Sequence, residues 1–166
     1  MNSHINTLGR HVRQGFTLVE ILIVVIILGI LAAIVVPKYS AASSDSKAAA
    51  ASATCHAVQL KIIEYYNLNG SYPTAIDPQW FAGKSLPKSP FDPQYADPIE
   101  YDTTSTSLIK HPRFKFISAT TKPYWYNVSN GTFRARVKQQ TTTSKTLALY
   151  NKANNTSVAT YFGQTD

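Results

Sequence analysis

The strongest pattern along the chain is an unbroken apolar run near its amino end. Residues 21–36 contain no polar side chain, and the run extends back to Phe16 with only Thr17 and Glu20 interrupting it. As an α-helix, residues 16–36 would be about 31 Å long, which matches the hydrocarbon core of a bilayer. A core helix of a soluble protein, the alternative, usually carries polar residues at the 3.6-residue period. The pattern therefore predicts one membrane-spanning helix.

Helical periodicity continues beyond the apolar run. Pro37 cannot donate a backbone hydrogen bond, so we expect it to kink the helix near that point. Further along, apolar residues recur every three or four positions and share one face: Ala48, Ala51, Cys55, Val58, Ile62 and Tyr65. Asn69-Gly70 is a stop signal. The pattern predicts one long, kinked helix from about Phe16 to Asn69, with a membrane half followed by an amphipathic half.

The last third of the chain shows the two-residue alternation of β-strands. Asn130-Gly131 lies between two runs of aromatic and β-branched residues, at 124–128 and 132–137, and predicts a β-hairpin. Three further short strands are predicted at residues 114–118, 147–150 and 158–162. A proline-rich connection precedes them. The predicted fold class is α+β, in which the long helix packs on a small C-terminal antiparallel sheet.

Length and composition narrow the function classes. The 166 residues suffice for one modest core, and the single cysteine, Cys55, excludes an internal disulfide and a multi-cysteine metal cluster. We expect Cys55 to be a small core residue, and His111 has no partner at metal-ligand spacing. The chain has no glycine-rich phosphate loop, no nucleophile elbow and no paired catalytic groups, so the sequence does not predict an enzyme.

The net charge of +7 is concentrated toward the carboxyl end, where no acid occurs between Asp102 and Asp166. On the second hairpin strand Arg134, Arg136 and Lys138 alternate with apolar residues, so we expect these three to share an exposed face. Two interpretations of that face stay open. It is either simply solvated, or it binds a polyanion such as single-stranded nucleic acid.

Four carboxylates follow the proline-rich connection: Asp92, Asp97, Glu100 and Asp102. They could bind calcium, but their irregular spacing is not that of an EF-hand loop. We favour a solvated loop and predict no cofactor.

The residues at the start of the apolar run carry a family resemblance. Residues 1–15 are polar and contain Arg10 and Arg13 but no acid. The segment Arg13–Glu20, RQGFTLVE, resembles the cleavage and methylation motif of type IV prepilins and type II secretion pseudopilins. The resemblance implies that a membrane aspartyl protease cuts between Gly15 and Phe16, and that the same enzyme N-methylates Phe16. An uncleaved signal anchor is the alternative.

The resemblance also implies a domain organisation and a role for Glu20. Residues 1–15 would be a cleaved leader, 16–36 a transmembrane and filament-core helix, and 37–166 the amphipathic continuation with a pilin-like α+β head. Glu20 of an incoming subunit would meet the amine of Phe16 in its neighbour. Alternatively, Glu20 lies close enough to neutralise the start of its own helix.

By the same resemblance, the chain is a structural subunit of a type IV pilus-like filament. The favoured interpretation is a major-pseudopilin-like protein of a type II secretion system that polymerises to push exoproteins out. The alternative is a type IV pilin for adhesion, motility or DNA uptake. The implied partners are further copies, minor pseudopilins or pilins, the prepilin peptidase, an inner-membrane platform with its cytoplasmic assembly ATPase, and membrane lipid before assembly.

The resemblance finally implies a location. The chain would cross the bacterial inner membrane once, with a cytoplasmic amino end and a periplasmic head, and would later join a periplasmic or cell-surface filament. Nucleic acid is not an expected partner under the favoured interpretation.

Overall fold

The computed structural model describes residues 15–163, which divide into two compact units at Ser40 and Ala41. Helix α1, Leu18–Asn69, begins in the first unit and ends in the second. The second, here called the head unit (residues 41–163), contains every other helix and strand of the described chain.

Helix α1 confirms the predicted long helix and its stop signal. It continues through Pro37, so the proline does not end it, and a change of direction there stays a prediction. The helix ends at Asn69, where Gly70 has a φ of 72° and its N–H donates to the Tyr66 carbonyl at 2.8 Å. A left-handed residue at this point is the usual way for a helix to terminate.

The sheet has three strands: β1 (Ile99–Asp102), β2 (Tyr124–Asn127) and β3 (Thr132–Ala135), in the order β1-β2-β3. The hairpin of β2 and β3 is antiparallel, as predicted, but β1 pairs with β2 in parallel. The predicted α+β fold, with the long helix packed on a small sheet, is confirmed, but the sheet is mixed rather than antiparallel. Residues 103–123 form the crossover that parallel pairing needs, and β1 lies just after the stretch that the prolines suggested was irregular.

Gly131 is the last residue of the hairpin turn, and two features of its surroundings require a glycine. Its φ is +70°, and a Cβ placed on it would come within 2.3 Å of a ring carbon of Tyr72. A side chain at this position would thus be strained by its own backbone and would collide with that ring.

The chain after β3 corrects further predictions. Residues 147–150, predicted as a strand, lie in helix α2, Thr143–Asn154. Thr142 caps this helix by accepting a hydrogen bond from the Lys145 N–H at 3.2 Å. Residues 114–118 and 158–162 are not regular strands either, and they contribute isolated bridges, Phe114 with Phe162 and Phe116 with Val137.

The core of the head unit forms between the amphipathic half of α1, the hairpin and α2. The predicted helix face is buried at Ala48, Ala51, Cys55, Val58 and Ile62, while Tyr65 is half-buried. The residues that cluster with this face come from all parts of the head unit: Ile99 from β1, Tyr124 and Tyr126 from β2, Phe133 and Ala135 from β3, and Leu149, Tyr150 and Ala153 from α2.

Two amide side chains cover the outer edge of β3. From α1, Gln59 donates to the Gly131 carbonyl at 2.8 Å and accepts from the Phe133 N–H at 3.1 Å. From α2, Asn154 accepts from the Ala135 N–H at 2.7 Å and donates to its carbonyl at 2.8 Å. An uncovered strand edge invites pairing with another chain, so these contacts both join the helices to the sheet and protect its edge.

Candidate functional site

The apolar part of α1 is exposed along its whole length. Phe16 is 84% exposed, and none of the most apolar 18-residue window of the helix is buried. By length and composition this is the one helix in residues 15–163 that could cross a membrane. Because so large an apolar surface is unstable in water, these side chains need lipid or other apolar partners.

Thr17 and Glu20 form a reciprocal cap at the start of α1. The Thr17 N–H and its hydroxyl each donate to Glu20 Oε2 at 2.8 Å, and the Glu20 N–H donates back to the Thr17 hydroxyl oxygen at 3.2 Å. The Thr17 carbonyl accepts from the Ile21 N–H at 3.3 Å. This is a capping box, in which side chains satisfy backbone donors that the first helical turn leaves unpaired.

The capping box bears on the two predicted roles of Glu20, at its own helix start and in contact with a neighbouring subunit. Within its own chain, Glu20 does serve its own helix start, which was the alternative interpretation. The contact with the amine of a neighbouring copy involves a second chain and stays a prediction. Sequence reasoning overlooked Thr17, although the spacing Thr-x-x-Glu ahead of an apolar run is a recognised signal for a helix start.

The comparison with known families concerns this same segment. Residues 10–36 match the prokaryotic N-terminal methylation motif. The matched residues include Gly15, Phe16 and Glu20 and end just before Pro37. No curated protein and no solved structure is significantly similar to the chain.

The motif supports a type IV pilin-like or pseudopilin structural subunit, a class that polymerises and is processed by a prepilin peptidase. Such subunits are structural rather than enzymatic. Together with the exposed apolar helix, the motif is consistent with membrane anchoring. The predicted leader, residues 1–15, lies outside the described residues except for Gly15, and a Cβ placed on Gly15 would meet no atom within 4 Å.

The expectation of an exposed basic face is wrong for Arg136, which is 2% exposed. Its guanidinium binds both carboxylate oxygens of Glu100, at 2.8 and 3.2 Å, and also donates to the Phe114 and Lys122 carbonyls. Strand alternation misled the prediction because the segment around residues 114–122 covers this side of the sheet. Arg136 is therefore a structural residue inside the head unit.

The other two basic residues differ from Arg136 and from each other. Lys138 is exposed, whereas Arg134 is half-buried and lines a cleft beside α1. The three basic side chains thus do not form one exposed surface. The opposite side matches the expectation, since Phe133, Ala135 and Val137 are all buried.

The four carboxylates also have separate roles. Glu100 and Asp102 lie on β1 rather than in a loop. Asp97 pairs with Lys122, and Asp92 accepts a hydrogen bond from the Gln94 N–H. Among the described residues no group of three or more His, Cys, Asp or Glu side chains is arranged to hold a metal ion.

Asp102 organises the turn that follows β1. Its carboxylate accepts hydrogen bonds from the backbone and hydroxyl of Thr104 and Ser105, and from the Trp125 indole N–H at 3.1 Å. Partial desolvation alone would raise the pKa of Asp102, but the hydrogen bonds from Ser105 and Thr104 outweigh it and lower the pKa.

Cys55 is buried at 7% exposure, as predicted. Burial raises the pKa of its thiol to about 12, although the nearby charge of Arg134 opposes the shift. A thiol that stays protonated is a poor nucleophile and metal ligand. His111 is buried too, and its Nδ1 lies 3.0 Å from the Tyr150 hydroxyl, so it belongs to the packing of the head unit.

Proposed function

We propose that the chain is a major-pseudopilin-like subunit of a type II secretion filament. In this proposal the prepilin peptidase removes residues 1–15 and methylates Phe16, and the apolar half of α1 passes from the inner membrane into the core of a polymer. One observation carries the proposal: the methylation motif, residues 10–36, includes an exposed apolar helical stretch whose first turn carries the carboxylate of Glu20. The head would be periplasmic, and assembly would need the inner-membrane platform with its ATPase.

The geometry of Glu20 suits a contact between subunits. Both hydrogen bonds that Glu20 receives from Thr17 end on Oε2, so Oε1 is the oxygen offered to the amine of a neighbouring Phe16. A carboxylate among apolar side chains is costly in lipid or in a packed core unless an opposite charge accompanies it. The new amino group made by cleavage would supply that charge, and methylation preserves it.

The choice of a pseudopilin over a pilin rests on two features. Type IV pilins commonly close their carboxyl-terminal loop with a disulfide, which one cysteine cannot form. The pilin alternative drew on a basic surface for polyanions, and the burial of Arg136 removes its central residue. The lack of acidic residues between Asp102 and Asp166 is the opposing feature, since major pseudopilins typically have a calcium loop near the carboxyl end.

Mass spectrometry of the mature amino terminus tests the processing step. In cells with the peptidase we expect a chain beginning with N-methylated Phe16. Gly15→Val, which adds bulk at the cut, should accumulate the precursor. A retained leader on the unaltered chain would contradict the proposal.

Filament yield tests the role of Glu20. Glu20→Ala should be processed normally but should give few or no filaments when cells are sheared and the fraction is immunoblotted. Glu64→Ala is the matched control, because Glu64 is an exposed carboxylate on the same helix, paired with Lys61. Equal yields from the two variants would mean that Glu20 serves only its own helix.

Secretion distinguishes the two kinds of filament. Deleting the gene should abolish release of exoproteins into the medium while leaving surface pili and twitching unchanged. Loss of pili or of DNA uptake, with normal secretion, would favour the pilin instead.

A further inference from the structure

A polar cleft of about 380 Å³ opens in the head unit, beside the outer edge of β3. Its volume falls in the range of about 300–1,000 Å³ that is typical of small-ligand sites. The side chains that give it its polar character come from three elements: Ser52 and His56 of α1, Arg134 of β3, and Asn155 and Thr156 after α2. We call this cavity the polar cleft, and its functional side chains are those five.

Several polar groups of the cleft have no partner in the described chain. Gln59 and Asn154 on its wall are occupied by the β3 edge, and Thr156 donates to Asn151. In contrast, the side chains of Ser52, His56 and Asn155 make no hydrogen bond to any part of residues 15–163. Each of these three side chains can donate a hydrogen bond, so the cleft presents several donors together.

Arg134 is the charged member of the polar cleft, and it forms no ion pair with a carboxylate of residues 15–163. Its Nε is buried without a hydrogen-bond partner in the part of the chain that the structure describes. The carboxylates paired there, Asp45, Glu64, Asp97 and Glu100, bind other bases, and the cleft residues that the structure describes include no acid. A half-buried guanidinium normally has an anion or an acceptor beside it, because desolvation without a partner is costly.

We propose that the polar cleft binds an oxyanion, a carboxylate or phosphate group, with Arg134 supplying the charge and Ser52, His56 and Asn155 supplying further hydrogen bonds. A guanidinium can donate two parallel hydrogen bonds to such a group. The oxyanion can come from a free small molecule or from an acidic side chain of a second copy of this chain. The proposal goes beyond the filament function and does not depend on cleavage at Gly15.

Binding is tested by NMR on the full chain in detergent micelles, with inorganic phosphate and then acetate as probes at constant ionic strength set with chloride. We expect saturable shifts of the His56 ring and Arg134 side-chain resonances. Affinity should fall by about tenfold or more in Arg134→Gln, since charged hydrogen bonds are the stronger ones. Lys138→Gln, which removes an exposed charge from the same segment, should bind like the unaltered chain.

Two additions keep the test decisive. Ser52→Ala with His56→Gln alters exposed or half-exposed positions on α1, so it tests the cleft even if Arg134→Gln does not fold. Sedimentation in the same micelles separates the sources of the oxyanion. Self-association that phosphate disrupts, and that Arg134→Gln abolishes, identifies a carboxylate of a second copy, whereas binding without self-association identifies a free anion.

The proposal is overturned if phosphate and acetate both give linear, unsaturable shifts and self-association is the same with and without Arg134. It is equally overturned if Lys138→Gln weakens binding as much as Arg134→Gln, because the effect would then be one of net charge. Loss of filaments in Glu20→Ala leaves these outcomes unchanged, so the two proposals fail separately.

Discussion

At the scale of single residues, Thr17 and Glu20 couple the start of α1 to the proposed assembly contact. The carboxylate is held by Thr17 through Oε2, which fixes the direction of its other oxygen. A side chain so held loses less conformational entropy when a neighbouring amine binds it. Thr17 is therefore a positioning residue for Glu20.

Removing the Thr17 hydroxyl should loosen the first turn of the helix. In Thr17→Val, which keeps the shape but loses the cap, we expect a cost of about 1 kcal/mol and faster exchange of the Glu20 and Ile21 amide hydrogens, by about fivefold. Hydrogen exchange on the uncleaved chain in micelles measures this. Thr17→Ser retains the hydroxyl and should exchange normally, and identical rates in Thr17→Val would show that the cap is not formed.

Arg136 and Lys138 are only two residues apart in the sequence, but we expect their contributions to stability to differ greatly. Arg136→Met leaves Glu100 and two partly buried carbonyls without their donor, so we expect the free energy of unfolding of the head to fall by about 2–3 kcal/mol. Lys138→Met, an exposed control, should change it by less than about 0.5 kcal/mol. Denaturant titrations followed by tryptophan fluorescence give both values, and a small effect at Arg136 would contradict its structural role.

At the scale of elements, the edge of β3 depends on side chains from two helices. Asn154 binds the Ala135 backbone and also donates to the Tyr150 carbonyl at 3.0 Å. Gln59 likewise bonds to the Gly131 carbonyl and the Phe133 N–H at the start of the strand. The helices therefore complete the hydrogen bonding that a fourth strand would otherwise provide.

Asn154→Leu tests this dependence. It keeps a similar volume but leaves the buried N–H and carbonyl of Ala135 unpaired, so we expect a loss of about 2–3 kcal/mol in the free energy of unfolding. Asn67→Leu, at an exposed position of α1, should have little effect. Exchange of the Ala135 amide hydrogen should accelerate in the first variant alone; protection of that amide in Asn154→Leu would contradict the assignment.

The sequence predicted elements well where one pattern dominated. The apolar run, the heptad-like face of α1 and the Asn-Gly hairpin each have a single strong local signal. Residues 147–150 form part of α2 rather than a strand, and the local sequence already favours a helix there, because Leu147, Ala148 and Leu149 are strong helix formers and Thr142 is a good N-cap residue. The strand prediction overlooked this helix-start signal.

The candidate site was predictable in the same uneven way. The methylation motif is one continuous stretch that includes Glu20, so a local sequence pattern was enough to identify both. Arg136 was misplaced because alternation indicates which side of a strand a residue is on, but not whether another segment covers that side. The polar cleft joins residues 52–56, 134 and 155–156, and no local pattern connects positions so far apart.

At the scale of the whole molecule, the buried ionisable groups make the head sensitive to alkali. The Cys55 thiol keeps its proton up to about pH 12 in the folded chain, whereas the unfolded thiol loses it near pH 9. Burial raises the pKa of Tyr124 and Tyr126 as well. The unfolded state therefore binds fewer protons than the folded state as the pH rises, so stability must fall.

Between about pH 9 and 12 we expect Cys55 alone to lower the free energy of unfolding by up to about 1.4 kcal/mol per pH unit. In Cys55→Ala the decline should begin about one unit later, when tyrosines ionise in the unfolded chain. Urea titrations across this range measure both curves. Superimposable curves after normalising at pH 8 would mean that the thiol is already solvated in the folded head.

The contacts between α1 and the rest of the head also set a schedule for folding. The Gln59 side chain bonds to the backbone of Gly131 and Phe133, and the Cys55 thiol contacts Asn154, which lies 99 residues later in the chain. A chain synthesised from its amino end therefore exposes the apolar face of α1 long before its partners exist. Contacts between residues so far apart in the sequence form slowly during folding. Until residues 131–154 have been synthesised, that face has no partner within its own chain, so we expect the nascent chain to be prone to aggregation and dependent on chaperones.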